Sequence, residues 1–196
     1  MVGDSEIGKT SLMRKFAEGY FDEYYNQTYG QPEFISYACY DSVAILFMFD
    51  LSQISTLYSI KKEWYKQTRS INKNAIYLLI GTKYDAFAKF PKEIQDNTTN
   101  MARDYARAMN ASLIFCSAKY SINIQNIFKI ILSKSFDLRC KILEIKEVGS
   151  PILEYKTAPE FMKAAVIYQN SYRKSQTLSK SKMLLKLTLK SILHRP

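Results

Sequence analysis

Three unbroken apolar runs punctuate the chain: Val43-Ala44-Ile45-Leu46-Phe47-Met48-Phe49 ending at Asp50, then Ala75–Gly81, then Leu113-Ile114-Phe115-Cys116. Short runs without polar alternation predict strands covered on both faces, as in a parallel sheet. Helical periods lie between and around them. Lys9–Glu18 carries Leu12 and Phe16 on one face and is closed by Gly19; 55–70, Lys92–Asn110 and Ile124–Phe136 follow the same rule. Strand and helix alternate three times, which predicts an α/β sheet with crossover helices and a ligand site at the carboxyl ends of the strands. Residues 20–42, rich in Tyr, Asn, Gln, Gly and Asp, show no sustained period and predict irregular structure. Gly149-Ser150-Pro151 marks a break, and the division read is a body over 1–156 and an extension over 157–196.

Composition narrows the chemistry. The 196 residues are 47% apolar and 23% charged, enough to bury a core, and no apolar run is long enough to span a membrane. No secretory leader is read at the start, so the expected compartment is the cytosol. Cys39, Cys116 and Cys140 are odd in number and widely spaced, and read as reduced thiols. The single histidine, His194, excludes His-based zinc sites and Ser-His-Asp or Cys-His catalysis. The net charge of +10 is concentrated in the extension: 157–196 hold eight Lys/Arg against Glu160, while the body is nearly balanced at +3. A balanced body argues against nucleic acid as a partner.

The chemistry begins at Gly3-Asp4-Ser5-Glu6-Ile7-Gly8-Lys9-Thr10, a G-x-x-x-x-G-K-T phosphate loop, with Ser11 following. Gly3 and Gly8 let the backbone turn its N–H groups inward, Lys9 supplies a point charge for β- and γ-phosphates, and the Thr10 hydroxyl can ligate Mg²⁺. The helix that starts here adds its positive dipole end. Two further segments follow the second and third predicted strands: Thr82-Lys83-Tyr84-Asp85 and Ser117-Ala118-Lys119. The Asp85 carboxylate can accept hydrogen bonds from the ring N–H and amino group of guanine, a pair that adenine does not present. The Lys83 stem can lie along the base, and the Ala118 N–H can meet the guanine carbonyl. Taken singly, Asp85 and Ser117–Lys119 are ordinary turn residues. Their order after a phosphate loop makes the pattern specific.

That order, with its flanks, resembles the Ras-like small GTPases. GDSEIGKTSLMRKFAEGYFDEYYNQT, VAILFMFDLS, GTKYDAF and SLIFCSAKYSINIQNIFKIIL are similar, more narrowly, to the septum-promoting GTP-binding proteins, over about residues 2–156. Thr82, in place of the usual Asn of N-K-x-D, is typical of that subgroup. The resemblance implies a three-layer G domain that binds GTP and GDP with Mg²⁺ and hydrolyses GTP. It also implies a role in septation and mitotic exit, with a GTPase-activating complex and an effector kinase as partners. Such proteins carry no lipid anchor and are thought to reach spindle poles through proteins. An apolar run ending in Asp50 mimics a magnesium-binding strand-end carboxylate; the resemblance makes that Asp structural.

The same resemblance exposes gaps. Thr28 matches the switch threonine that contacts Mg²⁺ and the γ-phosphate, and Gln31 matches the glutamine that orients the attacking water. Between them the family carries two strands ending in D-x-G-G-Q; here the sequence passes from Thr28 to Gly30-Gln31-Pro32-Glu33-Phe34-Ile35 directly. The shortfall is about 20–25 residues, two strands and their turn. The strand that normally feeds the phosphate loop is reduced to Met1-Val2. Losing three strands from one core strains a fold whose total stability is ordinarily ~5–15 kcal/mol. The expectation is therefore an incomplete G domain with weak nucleotide affinity and weak or no hydrolysis, the alternative role being a non-hydrolysing, protein-binding remnant. A gene model with an internal start and a skipped exon accounts for both gaps.

The extension mixes bases with leucines. Lys182, Lys186 and Lys190 recur every four residues as on a helix face, whereas Leu185, Leu187 and Leu189 alternate as in a strand. Both a basic amphipathic segment for anionic membranes and a solvated tail satisfy this pattern, the second more readily. The ending Leu193-His194-Arg195-Pro196 is not a prenylation motif.

Overall fold

The computed structural model describes residues 1–22, 35–138 and 140–155. Thr28, Gln31 and the extension over 157–196 lie outside the described residues.

A parallel sheet organises the rest. β1 (Ala44–Asp50) pairs with β2 (Ile76–Thr82) from Ala44↔Ile76 to Asp50↔Thr82, and β2 pairs with β3 (Ser112–Phe115) from Leu78↔Ser112 to Gly81↔Phe115. β4 (Leu153–Glu154) closes the far edge antiparallel to β3. Each apolar run forms its strand because both faces are covered. Ile45, Phe47 and Phe49 enter one apolar cluster, while Leu46 and Met48 enter the other. The first cluster is covered by the helical stretch 54–71 and by α6 (Lys92–Met109). The second is covered by α1 (Lys9–Glu18) and α7 (Ile124–Phe136). This is a helix–sheet–helix sandwich, the three-layer arrangement expected.

At the near edge of β1, Val2 lies alongside the strand. The Val2 N–H donates to the Leu46 carbonyl and the Met48 N–H donates to the Val2 carbonyl, both at 2.9 Å, making a single parallel bridge to β1. The phosphate loop thus follows directly on a residue paired with the edge of the sheet. α1 packs on the sheet and on α7. Leu12 is fully buried, and Phe16 stacks on Phe128 of α7 with ring centroids 3.5 Å apart.

Four features depart from the reading of the sequence. Part of the stretch read as irregular, Ile35–Tyr40, is a short helix, α2, held by the Asn72 side-chain amide, which donates to the Cys39 and Ser42 carbonyls at 2.9 Å. The expected helix over 55–70 is α3 (Ile54–Ser59), a π turn (Ile60–Trp64) and α4 (Tyr65–Ile71) in one run. Tyr84–Phe87 forms an unanticipated turn of helix, α5. Gly149-Ser150-Pro151, read as a break, is a turn after which the chain returns to the sheet: Asn123 donates to the Pro151 carbonyl at 3.0 Å, and β4 follows. Among the described residues no helix is long and apolar enough to cross a membrane.

Candidate functional site

The loop is shaped by its glycines at two points. Gly3 has φ 143°, and a Cβ there would stand 2.2 Å from the Met48 carbonyl oxygen, so the loop can leave β1 only through a residue without a side chain. Gly8 has φ 90° and opens α1 from the left-handed region; space is free there, and the requirement is conformational. Lys9 curls back so that its ammonium donates to the carbonyls of Gly3 and Asp4, closing the loop into a ring. Burial lowers the Lys9 pKa from its ordinary 10.5, opposed by the Asp4 carboxylate nearby. An anion entering the loop would relieve that desolvation.

Thr82, at the carboxyl end of β2, is buried and ties the loop to the sheet. Its hydroxyl proton is shared between the Ile7 carbonyl at 2.7 Å and the Phe49 carbonyl at 3.0 Å. Lys83 follows in the left-handed region (φ 55°), and its ammonium meets Asp50 Oδ2 at 2.7 Å. Asp50 also accepts from the Ser52 N–H and hydroxyl at 2.8 and 2.6 Å. The buried carboxylate thereby holds the β1 and β2 ends together, as a structural role requires. Asp85, on α5, accepts from the Ser117 hydroxyl at 2.7 Å, which fixes one carboxylate oxygen and orients the group. The Tyr84 N–H donates to the Cys116 carbonyl at 3.0 Å, stitching the two base-side segments together.

One cavity of about 430 Å³ joins these parts. Ser5, Glu6, Gly8, Lys9, Thr10 and Ser11 form one wall; Thr82, Lys83, Asp85, Ala118 and Lys119 form the other. The Lys119 ammonium stands 6.0 Å from the Tyr120 ring centroid. Gly3, Asp4, Ile7 and Ser117 are not on the wall. Gly3 presses on β1, Asp4 Oδ1 accepts from the Trp64 indole at 2.7 Å, Ile7 is buried in the apolar cluster, and Ser117 stands behind Asp85. These four support the site rather than face it.

Sequence reasoning assigned nothing to Arg14, Phe21, Asp22, Ala86 or Cys116, all of which line the same cavity. Phe21 brings an aromatic face to a site sized for a purine. Its signal was the quoted flank after Gly19, read only as resemblance. Burial pushes the Cys116 thiol up to about 12, so this wall carries a neutral thiol at any working pH. Among the described residues no group of three or more His, Cys, Asp or Glu could hold a metal unaided. The donor set suits an ion that arrives with phosphates. Thr10 places a hydroxyl beside Lys9, and Mg²⁺ commonly takes its remaining ligands from phosphate and water.

A phosphate loop at the start of a crossover helix, with two further strand-end segments on the same cavity, defines a phosphate-loop nucleotide-binding domain of α/β type. Comparison with known proteins makes this specific. Residues 1–42 and 33–137 match the Ras family, and the chain belongs to that family. It is 53% identical over 182 residues to septum-promoting GTP-binding protein 1 of Schizosaccharomyces pombe, covering 79% of this chain and 91% of the relative. It is 26% identical over 156 residues to human Ras-related protein Rab-22A (65% of this chain, 77% of that one), and 29% identical over 170 residues to human Rho-related GTP-binding protein RhoE (66% and 68%). The first alignment spans more positions than 79% of 196 residues can fill, so the yeast protein has residues with no counterpart here.

Proposed function

We propose that this chain binds GTP and GDP with Mg²⁺ in the cavity between the phosphate loop and the strand-end segments, and acts as a guanine-nucleotide switch in septation. The observation that carries the reading is the single cavity on which Lys9, Thr10, Asp85 and Lys119 all open. In this reading Lys9 leaves its own loop carbonyls for the β- and γ-phosphates, and the Thr10 hydroxyl joins the metal, which neutralises phosphate charge when bound. Asp85, oriented by Ser117, accepts from the guanine ring N–H and amino group. Adenine would leave that carboxylate unpaired and so bind poorly. The kinship to a septum-promoting protein supports septation as the process; a GTPase-activating complex and an effector kinase as partners, and spindle poles as the place of action, are part of the proposal.

Hydrolysis is the weaker half of the cycle. Its assigned groups, Thr28 on the metal and Gln31 on the water, lie outside the described residues, and no D-x-G-G segment occurs in the sequence. A second reading, a protein-binding module without turnover, is favoured by that gap. Calorimetric titration of GDP and ADP in magnesium buffer, with a phosphate-release assay, separates the readings. The account expects GDP to bind in about the micromolar range, ADP weaker by on the order of a hundredfold, and turnover to be slow or nil. Equal binding of both nucleotides, or of neither, would remove the switch reading. Nanomolar GDP affinity with ready turnover would contradict the weakness ascribed to the missing D-x-G-G segment.

A further inference from the structure

The phosphate loop contains a carboxylate that its chemistry does not want. Asp4 is half-buried within a loop built to attract anions, where a poorly screened negative charge repels phosphate and competes for Lys9. Glu6, the other acid of the loop, is exposed and screened by water. The Asp4 carboxylate has a specific partner. Trp64, sixty residues away and the only tryptophan of the chain, donates its indole N–H to Asp4 Oδ1 at 2.7 Å. Trp64 is the last residue of the π turn between α3 and α4, an irregularity of a kind frequent at functional sites. An indole N–H is a donor without charge. It can anchor a carboxylate without bringing a second cation that would compete for phosphate.

We propose that Trp64 is a positioning residue for the phosphate loop: its indole holds the Asp4 carboxylate toward the helix and away from the diphosphate. The inference rests on the guanine-nucleotide reading above. It assigns Trp64 no contact with nucleotide; the residue acts only through Asp4. Without the indole, Asp4 is free to turn toward the phosphates or toward Lys9, and the ligand's diphosphate, not its base, feels the loss.

The test is a double-mutant cycle in the full chain, read with GDP and with guanosine. Trp64→Phe is expected to weaken GDP about tenfold or more, the worth of a hydrogen bond to a charged group, and to leave guanosine unchanged. Asp4→Asn removes the charge, so in that background Trp64→Phe should change GDP affinity by less than about threefold. A packing defect would behave otherwise, persisting in the Asp4→Asn background and weakening guanosine equally; either result overturns the proposal. So does GDP binding by Trp64→Phe at wild-type strength. A second readout needs no nucleotide: Asp4→Ala should shift the emission of the lone tryptophan, and an unchanged spectrum denies the contact. Failure of the wild-type chain to bind GDP removes the parent reading, and this one with it. Wild-type binding with an unaffected Trp64→Phe removes this one alone.

Discussion

The two walls of the cavity are built to different standards. The base-side wall grows from strands β2 and β3, paired along their lengths, buried on both faces and joined by backbone hydrogen bonds such as Cys116 N–H to the Gly81 carbonyl at 2.7 Å. The phosphate-side wall hangs from one bridge at Val2. Side-chain ties hold this wall: the Thr82 hydroxyl to Ile7, the Lys9 ammonium to its own loop and the Trp64 indole to Asp4. The difference separates two properties. Choice of base is scaffolded by the sheet, while affinity for phosphate depends on a few individual contacts and is the more easily lost.

The largest effect should come from breaking the weak wall at its root. Gly3→Ala would drive a methyl into the Met48 carbonyl, costing about 2–4 kcal/mol or displacing the loop. Thermal melts should fall by several degrees, and GDP binding should disappear while the sheet's circular dichroism persists. The strong wall should fail differently. Asp85→Ala should weaken GDP about ten- to a hundredfold, leave ADP nearly unchanged and so erase the discrimination between them, with little change in melting. A parallel loss of both nucleotides would mean that the two walls are not separable.

That asymmetry was only partly legible in the sequence. The ends of α1 and α7 were readable because the apolar period is long and left-handed residues stop it, Gly19 at φ 70° and Asp137 at φ 50°. The three central strands were readable because double-sided burial leaves no polar residue in their interiors. Short elements were not. Ile35–Tyr40 has too few residues to show a period and is held by Asn72 from a distant helix end, while β4 is two residues whose pairing is wholly non-local. The wall motifs were legible as ordered words, since phosphate and guanine chemistry demand those residues at those strand ends. Their supports were not. Asp4–Trp64, Ile7–Thr82 and Asp50–Lys83 join residues 60, 75 and 33 positions apart, and no local pattern announces them.

Smaller perturbations sharpen the comparison. Thr82→Val removes the hydroxyl between the Ile7 and Phe49 carbonyls without changing shape, and should cost about 1–3 kcal/mol of stability by leaving buried acceptors unpaired. GDP affinity should drop severalfold through the phosphate side, because the lost hydroxyl ties the loop, with guanosine unaffected; equal losses would mean that the hydroxyl supports the base side as much as the loop.

Alkaline pH should give the mildest effect. Burial holds the Lys9 pKa below 10.5 in the empty site, and a bound diphosphate stabilises the ammonium and raises it. The empty site therefore loses its proton first as pH rises. GDP affinity should be level below the empty-site pKa of Lys9 and fall above it, by at most tenfold per unit, until the complex also deprotonates. The same depression means that the cost of burying the ammonium is present at neutral pH and relieved as pH climbs toward 10.5, so this group makes the empty fold slightly more stable there. Affinity that rises with pH would remove Lys9 from the phosphate contact.

Amide hydrogen exchange with and without GDP tests most directly whether separated segments form one site. Protection should appear together over residues 3–11, 82–85 and 117–119, greatest in the loop, which side-chain ties hold, and least where strand pairing already protects. Protection confined to one segment, or falling elsewhere on the molecule, would contradict the account.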